Sequence, residues 1–371
     1  MRGPAVHPIV IAAGGTGGHF FPAEALAAEL LARGQRVALM TDARSAGLAS
    51  PVFAHAERFV LRGAGIAGRG VAGAARGLAE LARGTLQARR LLGLLNAAAV
   101  VGFGGYPSVA PVLAARLLRR RPAVLLHEQN AVLGRANRML ARHADLLALG
   151  FPATARVPAQ LATTVTGNPV RAAIAELAEA PYAPPAETIR LLVLGGSLGA
   201  RVFSDVVPPA LAMLPDTLRA RLAIVQQCRA EDLPRVRDAY AASGMEAELA
   251  PFFTDIAARL AEAHVVIARA GASTVAELAV AGRPAVLVPL PGAIDDHQRA
   301  NARALAEAQG AVVMDQDAFT APALAAQLEQ WLEEPGLLVH AARAARGLAR
   351  PDAAARLAAA VEALIRERAR P

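Results

Sequence analysis

Short apolar runs alternate along the chain with longer amphipathic stretches rich in Ala, Leu and Arg. That rhythm is the one expected of strands that each feed a helix covering a parallel sheet. In the first half the runs predict strands at Ile9–Ala12, Val37–Met40, Val100–Val101, Ala123–Leu126 and Leu146–Leu149. In the second half they predict strands at Leu191–Leu194, Leu222–Val225, Val265–Ile267, Ala285–Val288 and Ala311–Met314. Helices are expected at Ala23–Ala32, with Pro22 near its start and Gly34 just past its end, and at Val275–Ala281, stopped by Gly282. The uncharged stretch Leu91–Ala115 holds Asn96, Pro107 and Pro111, so it reads as helix end, buried strand, glycine turn and new helix rather than a membrane span.

The result is an α/β chain of two similar halves. Between them Val165–Pro185 carries Gly-Asn-Pro and then Ala-Pro-Tyr-Ala-Pro-Pro, a linker composition that places the boundary near Thr164 and gives domains 1–164 and 165–371. The tail from Pro351 predicts a helix that either closes the second domain or packs back across the first. A length of 371 residues suits two domains. With 54% hydrophobic and 19% charged residues the chain is too apolar to be disordered.

Composition then removes several chemistries. All 39 basic residues are arginine, which excludes a lysine Schiff base and a P-loop lysine. A single cysteine, Cys228, can form neither an internal disulfide nor a cysteine-based zinc site, and fits a reducing compartment. The N-terminal Met1–Pro8 has no apolar core of a secretory signal, so the cytoplasm is expected. A net charge of +8 favours acidic partners, but aromatic residues are only 4% of the chain, too few for the stacking platforms of single-strand binding. No nucleic acid partner is expected.

Candidate chemistry lies at the ends of the expected strands. The first strand runs into Gly14-Gly-Thr-Gly-Gly-His19, where Thr16, Gly17 and Gly18 could let an anion approach the backbone at a helix start. As a dinucleotide fingerprint the run fails at Phe20, although Asp42 imitates a ribose-binding acid; a purely structural turn is the other reading. The second half repeats the device in Gly195-Gly-Ser-Leu-Gly-Ala200 and again in Arg269-Ala-Gly-Ala-Ser-Thr274 before a helix carrying Glu277. A carboxylate in a first helical turn either complements the dipole or accepts the hydroxyls of a ribose. Gly102-Phe-Gly-Gly-Tyr-Pro107 and His127-Glu-Gln-Asn130 also follow strands, where open α/β sheets place their ligands.

Taken with Gly167-Asn-Pro-Val-Arg171, Phe252-Phe-Thr-Asp-Ile256 and Asp296-His-Gln-Arg-Ala-Asn301, these motifs occur in the order and spacing of the MurG family, which the chain resembles over nearly its whole length. Family members transfer N-acetylglucosamine from UDP-N-acetylglucosamine (UDP-GlcNAc) to undecaprenyl-linked lipid I, forming lipid II of peptidoglycan synthesis. The resemblance implies a GT-B fold, two Rossmann-like domains with a cleft between them, the first taking the lipid acceptor and the second the sugar nucleotide. It places Ile256 beside the uracil, Glu277 on the ribose, and Arg171, Ser197, Ala272, Ser273 and Thr274 near the diphosphate. Asn130, Gln298 and Asn301 would line the sugar. Leu198 and Gln226-Gln-Cys-Arg229 depart from the family's usual Gln and His-Gln-x-Gly.

An inverting transfer needs one base and positive charge opposite the departing diphosphate. His19 is the expected base, its alternative role being to hold the loop or to bond an acceptor phosphate; Glu128 is the second candidate, and His127 and His297 are expected to position other groups. Neither a metal nor a cofactor is implied, since helix N-termini and Arg171 can oppose the charge. An acceptor held in the bilayer requires a peripheral enzyme at the cytoplasmic face of the inner membrane. The segment Arg62–Arg90, with Arg69, Arg76, Arg83 and Arg89 among Ile66, Val71, Leu78 and Leu81, is expected to dock on the anionic surface, joined by Arg119–Arg121. A solvated helix with core-facing leucines is the plainer reading of that segment. Two other functions remain open: a UDP-GlcNAc 2-epimerase-like GT-B enzyme, or a sensor that binds UDP without turnover.

Overall fold

The computed structural model describes residues 7–15, 17–43, 45, 50–62, 71–196 and 199–369. The chain divides into two compact units, Met1–Arg171 with Asp352–Pro371, and Ala172–Pro351. In the first, strands β1 (Ile9–Ala12), β2 (Val37–Thr41), β3 (Glu57–Val60), β4 (Ala99–Gly102), β5 (Ala123–Glu128), β6 (Leu146–Leu149) and β7 (Thr163–Val165) form a parallel sheet in the order β3-β2-β1-β4-β5-β6-β7. Its helices are α1 (Gly17–Ala32), α2 (Val71–Leu95), α3 (Val109–Arg116) and α4 (Arg135–Leu140).

The second unit opens with the short α5 (Ala172–Ala175) and then alternates β8 (Ile189–Leu194), α6 (Arg201–Ala212), α7 (Asp216–Arg219), β9 (Leu222–Gln227), α8 (Leu233–Ala242), β10 (Ala247–Ala250), α9 (Ile256–Glu262) and β11 (Val265–Ala268). It continues through α10 (Ala272–Ala281), β12 (Ala285–Leu287), α11 (His297–Glu307), β13 (Ala311–Val313), α12 (Ala321–Glu333) and α13 (Pro335–Gly347). The order β10-β9-β8-β11-β12-β13 is again parallel and doubly wound. The last helix, α14 (Ala353–Ala369), belongs to the first unit.

Strands this short read as unbroken apolar runs because both faces of the sheet are covered. Ile9 and Ile11 pack on one face with Phe20, Leu26 and Leu30 of α1 and with Leu357 and Val361 of α14. Val10, pointing the other way, packs with Ala88 and Leu92 of α2 and Val112 of α3. In the second unit Leu191 and Val193 join Phe203 and Val207 of α6 and Leu328 of α12.

All ten expected strands are present, and three more that were not expected, β3, β7 and β10, are mostly half-exposed or exposed. Each lies at or toward the rim of its sheet, where one face meets water and the apolar run disappears. The boundary expected at Thr164 falls inside β7, which pairs with β6, so the first unit runs on to Arg171. Helix α1 starts at Gly17 rather than near Pro22, so Pro22 lies within it and leaves the Gly18 carbonyl without its helical donor. Helix α10 starts at Ala272, which puts Glu277 in its second turn rather than its first.

Candidate active site

Each sheet reverses its winding beside its first strand, between β1 and β4 in one unit and between β8 and β11 in the other. Open α/β sheets bind ligands at such points, outside the carboxyl ends of the strands. The glycine loops expected to carry the chemistry all follow these strands.

In the first unit His19 stands in the first turn of α1, and its Nδ1 lies 3.0 Å from Gln129 Oε1. Gln129 Nε2 in turn lies 2.9 Å from His127 Nδ1 and 3.2 Å from the His127 carbonyl, and His127 Nε2 is 3.1 Å from the Gly167 carbonyl. His127 sits at the end of β5, fully buried, its ring 5.3 Å from that of Phe103. Burial pushes its pKa down to about 4, against the Gly167 bond that favours the charged form. It is therefore neutral near pH 7. Beside His19 the backbone of Gly105 has φ +65°, and a Cβ placed there would lie 3.2 Å from His19 Cδ2 and 3.4 Å from Nε2. Thr16 lies outside the described residues.

Glu128, the second candidate base, is engaged on both oxygens. Oε1 accepts the backbone N–H and the Nδ2 of Asn130, each at 3.0 Å, while Oε2 accepts Gly134 N–H at 2.9 Å and Asn137 Nδ2 at 2.8 Å. At 2% exposure this carboxylate organises the turn that holds Asn130. Arg171, at the end of the first unit, lays its guanidinium over the Phe21 ring of α1 at 4.9 Å from the centroid.

In the second unit Gln227 ties two loops together. Its Oε1 accepts Gly195 N–H at 3.0 Å, and its Nε2 donates to the carbonyls of Gly196 at 2.9 Å and Pro251 at 3.0 Å. Ser197 and Leu198 of the same loop lie outside the described residues. Gly196 has φ +79°, a conformation that favours glycine. The N-terminus of α10 follows Gly271 with no side-chain cap, so the first amides of Ala272, Ser273 and Thr274 are without a capping side chain. Asn301 is fully buried and its Nδ2 donates to the Ala270 carbonyl at 3.1 Å, so it braces that turn from behind. Gln298 Oε1 accepts Leu290 N–H at 3.0 Å, bracing the loop after β12. Ile256 is the first residue of α9, which is anchored by Arg259: its guanidinium bonds both oxygens of Glu248 at 2.6 and 2.8 Å and lies 4.1 Å from the Phe253 centroid. Cys228 is fully buried with its thiol pKa pushed up by burial, which makes it inert.

The sequence motifs contained Gln129 and Gln227 without giving them a role and did not include Asn137; the two glutamine amides connect the ends of different strands, and that of Asn137 ties α4 to the end of β5. The only signal for the two glutamines was their place in polar runs that end strands, and Asn137, within α4, carried none.

Two doubly wound parallel units with glycine loops at their switch points are the halves of a GT-B fold. The chain matches the glycosyltransferase family 28 N-terminal domain over residues 9–148 and the family 28 C-terminal domain over residues 190–357. It is 63% identical over 363 residues to the UDP-N-acetylglucosamine--N-acetylmuramyl-(pentapeptide) pyrophosphoryl-undecaprenol N-acetylglucosamine transferase of Granulibacter bethesdensis, covering 97% of this chain and 94% of that relative. The crystal structure of MurG from Acinetobacter baumannii is 33% identical with a TM-score of 0.77, over 96% of this chain and 99% of that one. A putative UDP-N-acetylglucosamine 2-epimerase from Listeria monocytogenes, 16% identical with a TM-score of 0.71 over 99% of both chains, shares the fold. The chain belongs to the MurG family.

Proposed function

We propose that this protein moves N-acetylglucosamine from UDP-GlcNAc to the C4 hydroxyl of the muramoyl sugar of lipid I, inverting the anomeric centre and producing lipid II, at the cytoplasmic face of the inner membrane. The observation that carries the reading is the near full-length identity with a relative named for that transfer.

The first unit takes the acceptor, with Thr16, Gly17 and Gly18 toward its diphosphate and Asn130 toward a sugar. The second takes the nucleotide: the backbone at Ile256 meets the uracil and Glu277 the ribose. Ser197 and the amides of Ala272, Ser273 and Thr274 approach the diphosphate, as does Arg171. Gln298 and the buried Asn301 shape the sugar subsite through the loops they brace. His19 removes the proton of the C4 hydroxyl as its oxygen attacks the anomeric carbon from the face opposite UDP. The bond from that carbon to the diphosphate oxygen breaks, and the negative charge passes to UDP, where helix amides and Arg171 oppose it. The proton on His19 then passes to solvent.

The membrane contact is the outer side of α2. Leu78, Leu86 and Leu94 are exposed there among the exposed Arg76, Arg83, Arg89 and Arg90, whereas Leu81 is half-buried on the core. Ile66, Arg69 and the side chain of Val71 lie outside the described residues. No helix among the described residues is long and apolar enough to cross a membrane.

The test is transfer of labelled sugar from UDP-GlcNAc to a short-chain lipid I analogue. Acceptor-dependent product is expected from the wild type. His19→Ala is expected to slow turnover by about 10²–10⁴-fold with nucleotide affinity retained, and Glu277→Ala to weaken donor binding. Conversion of UDP-GlcNAc without acceptor would replace this reading with the epimerase.

A further inference from the structure

The hydrogen-bond chain behind His19 has a direction. Its far end is the Gly167 carbonyl, which can only accept, so His127 Nε2 carries the hydrogen of that 3.1 Å bond. His127 is neutral in its buried site, so its Nδ1 is a lone pair and accepts from the Gln129 amide at 2.9 Å. The same amide nitrogen reaches the His127 carbonyl at 3.2 Å, a second acceptor, which fixes the amide with nitrogen toward His127 and oxygen toward His19. That oxygen can only accept across its 3.0 Å contact, so the hydrogen between them belongs to His19 Nδ1.

We infer that His127 and Gln129 are positioning residues which hold His19 in its Nδ1–H tautomer and so leave Nε2 as a lone pair. The ring nitrogen that keeps its proton is set by the partner of the other. The Nε2 edge is also the edge beside Gly105, where the missing Cβ leaves room: a methyl there would stand 3.4 Å from Nε2. Among the described residues His19 Nε2 has no hydrogen-bond partner. A glutamine in this place orients the imidazole as the carboxylate of a catalytic triad does, but adds no charge. The use of the lone pair rests on the reading of His19 as base, whereas the tautomer itself does not.

Nitrogen-15 NMR of the full-length protein labelled at histidine reads the tautomer directly, with His19→Gln identifying the His19 signals. The wild type at a pH where His19 is neutral is expected to show the Nδ1–H form. Gln129→Met, of similar length but with no donor and only a weak sulfur acceptor, is expected to lose it to the Nε2–H form or to a mixture. Gln129→Glu still accepts from Nδ1 and is expected to keep it. In the transfer assay Gln129→Met is expected to lower kcat at least tenfold with KM for UDP-GlcNAc within twofold of wild type, and Gln129→Glu to recover part of the loss. Should Gln129→Met fail to fold, the wild-type and Gln129→Glu spectra still decide the matter. An Nε2–H form in the wild type, or an unchanged tautomer in Gln129→Met, would overturn the inference. If the tautomer behaves as expected while Gln129→Met turns over like wild type, the network stands and His19 is not the base.

Discussion

Gln227 Nε2 donates to the Gly196 carbonyl at 2.9 Å, and through its other bonds the same buried side chain holds Gly195 and Pro251. The loop after β8 and the loop after β10 are thus set against each other by one amide. Both lie at carboxyl ends of strands, one the glycine loop beside the proposed diphosphate subsite, the other leading to Ile256. A lost hydrogen bond that strands a buried partner costs about 1–3 kcal/mol. Gln227→Leu is therefore expected to weaken UDP binding by about tenfold or more, at 1.4 kcal/mol per decade, measured by titration calorimetry. An unchanged Kd would show that the loops hold their shape without it.

Glu128 gives a way to separate a structural carboxylate from a base. Its oxygens receive four donors, so Glu128→Gln would turn an amide NH2 toward N–H groups that have lost their acceptor. The expected cost is on the order of 2 kcal/mol of stability, seen as a lower urea midpoint. Activity should fall with it through the displaced Asn130. A base removed from an otherwise intact site would instead abolish turnover with the urea midpoint unmoved.

Much of this architecture was legible because buried parallel strands are apolar throughout. Ile9–Ala12 and Val265–Ala268 stand out of the sequence for that reason, and the glycine loops stand out because each ends such a run. Strand β7 was not legible: Thr163 and Val165 are exposed, so its three residues look like linker. The first-unit placement of α14 was undecidable in sequence, since Leu357 and Val361 fit either core. The His19 loop could be read, but not its partners. Gln129 matters because β5 and β7 bring Gly167, His127 and the start of α1 to one place, and such a meeting is a property of topology rather than of any local pattern.

Burial of His127 makes stability depend on pH. Its folded pKa, about 4, lies below the ordinary 6.5, so between these values the unfolded chain binds a proton that the folded chain does not. Its contribution is constant above about pH 6.5, and stability falls as the pH drops from there toward 4, by about 3 kcal/mol from this residue. Urea midpoints across that window should fall for wild type and fall less for His127→Asn, which has no proton to gain. Parallel curves for the two proteins would remove His127 as the cause.

The closing helix should be essential to the first unit alone. Leu357 and Val361 of α14 are fully buried against β1 and α1, and Arg368 near the helix end bonds Asp145 Oδ1 at 2.6 Å. Leu357→Ala is expected to cost about 2–5 kcal/mol through lost burial and the cavity left behind. The chain's one tryptophan, Trp331, is buried in the second unit, so its fluorescence follows that unit's unfolding. Circular dichroism should show an earlier loss of structure in Leu357→Ala that Trp331 fluorescence does not share.

The proposed membrane docking by α2 predicts a contribution from both its apolar and its basic exposed side chains. Leu78, Leu86 and Leu94 are 66%, 60% and 75% exposed, and Arg89 Nε bonds the Leu117 carbonyl at 3.2 Å, which brings the 54% exposed Leu117 and Arg119–Arg121 alongside. A fully buried leucine contributes about 1.5–3 kcal/mol, and an arginine near an anionic leaflet about 1 kcal/mol. Leu86→Glu with Leu94→Glu should therefore reduce binding to vesicles of any charge. Arg76→Glu with Arg83→Glu should reduce binding to anionic vesicles by at least thirtyfold, about 2 kcal/mol for the two lost arginines, to which repulsion of the two new carboxylates adds, and leave neutral vesicles unaffected. Both pairs are outside the catalytic loops, so turnover of a water-soluble acceptor analogue should persist while transfer to vesicle-bound acceptor falls. If flotation assays find both variants bound like wild type, the surface of α2 faces solvent, and the lipid acceptor is reached by another part of the chain.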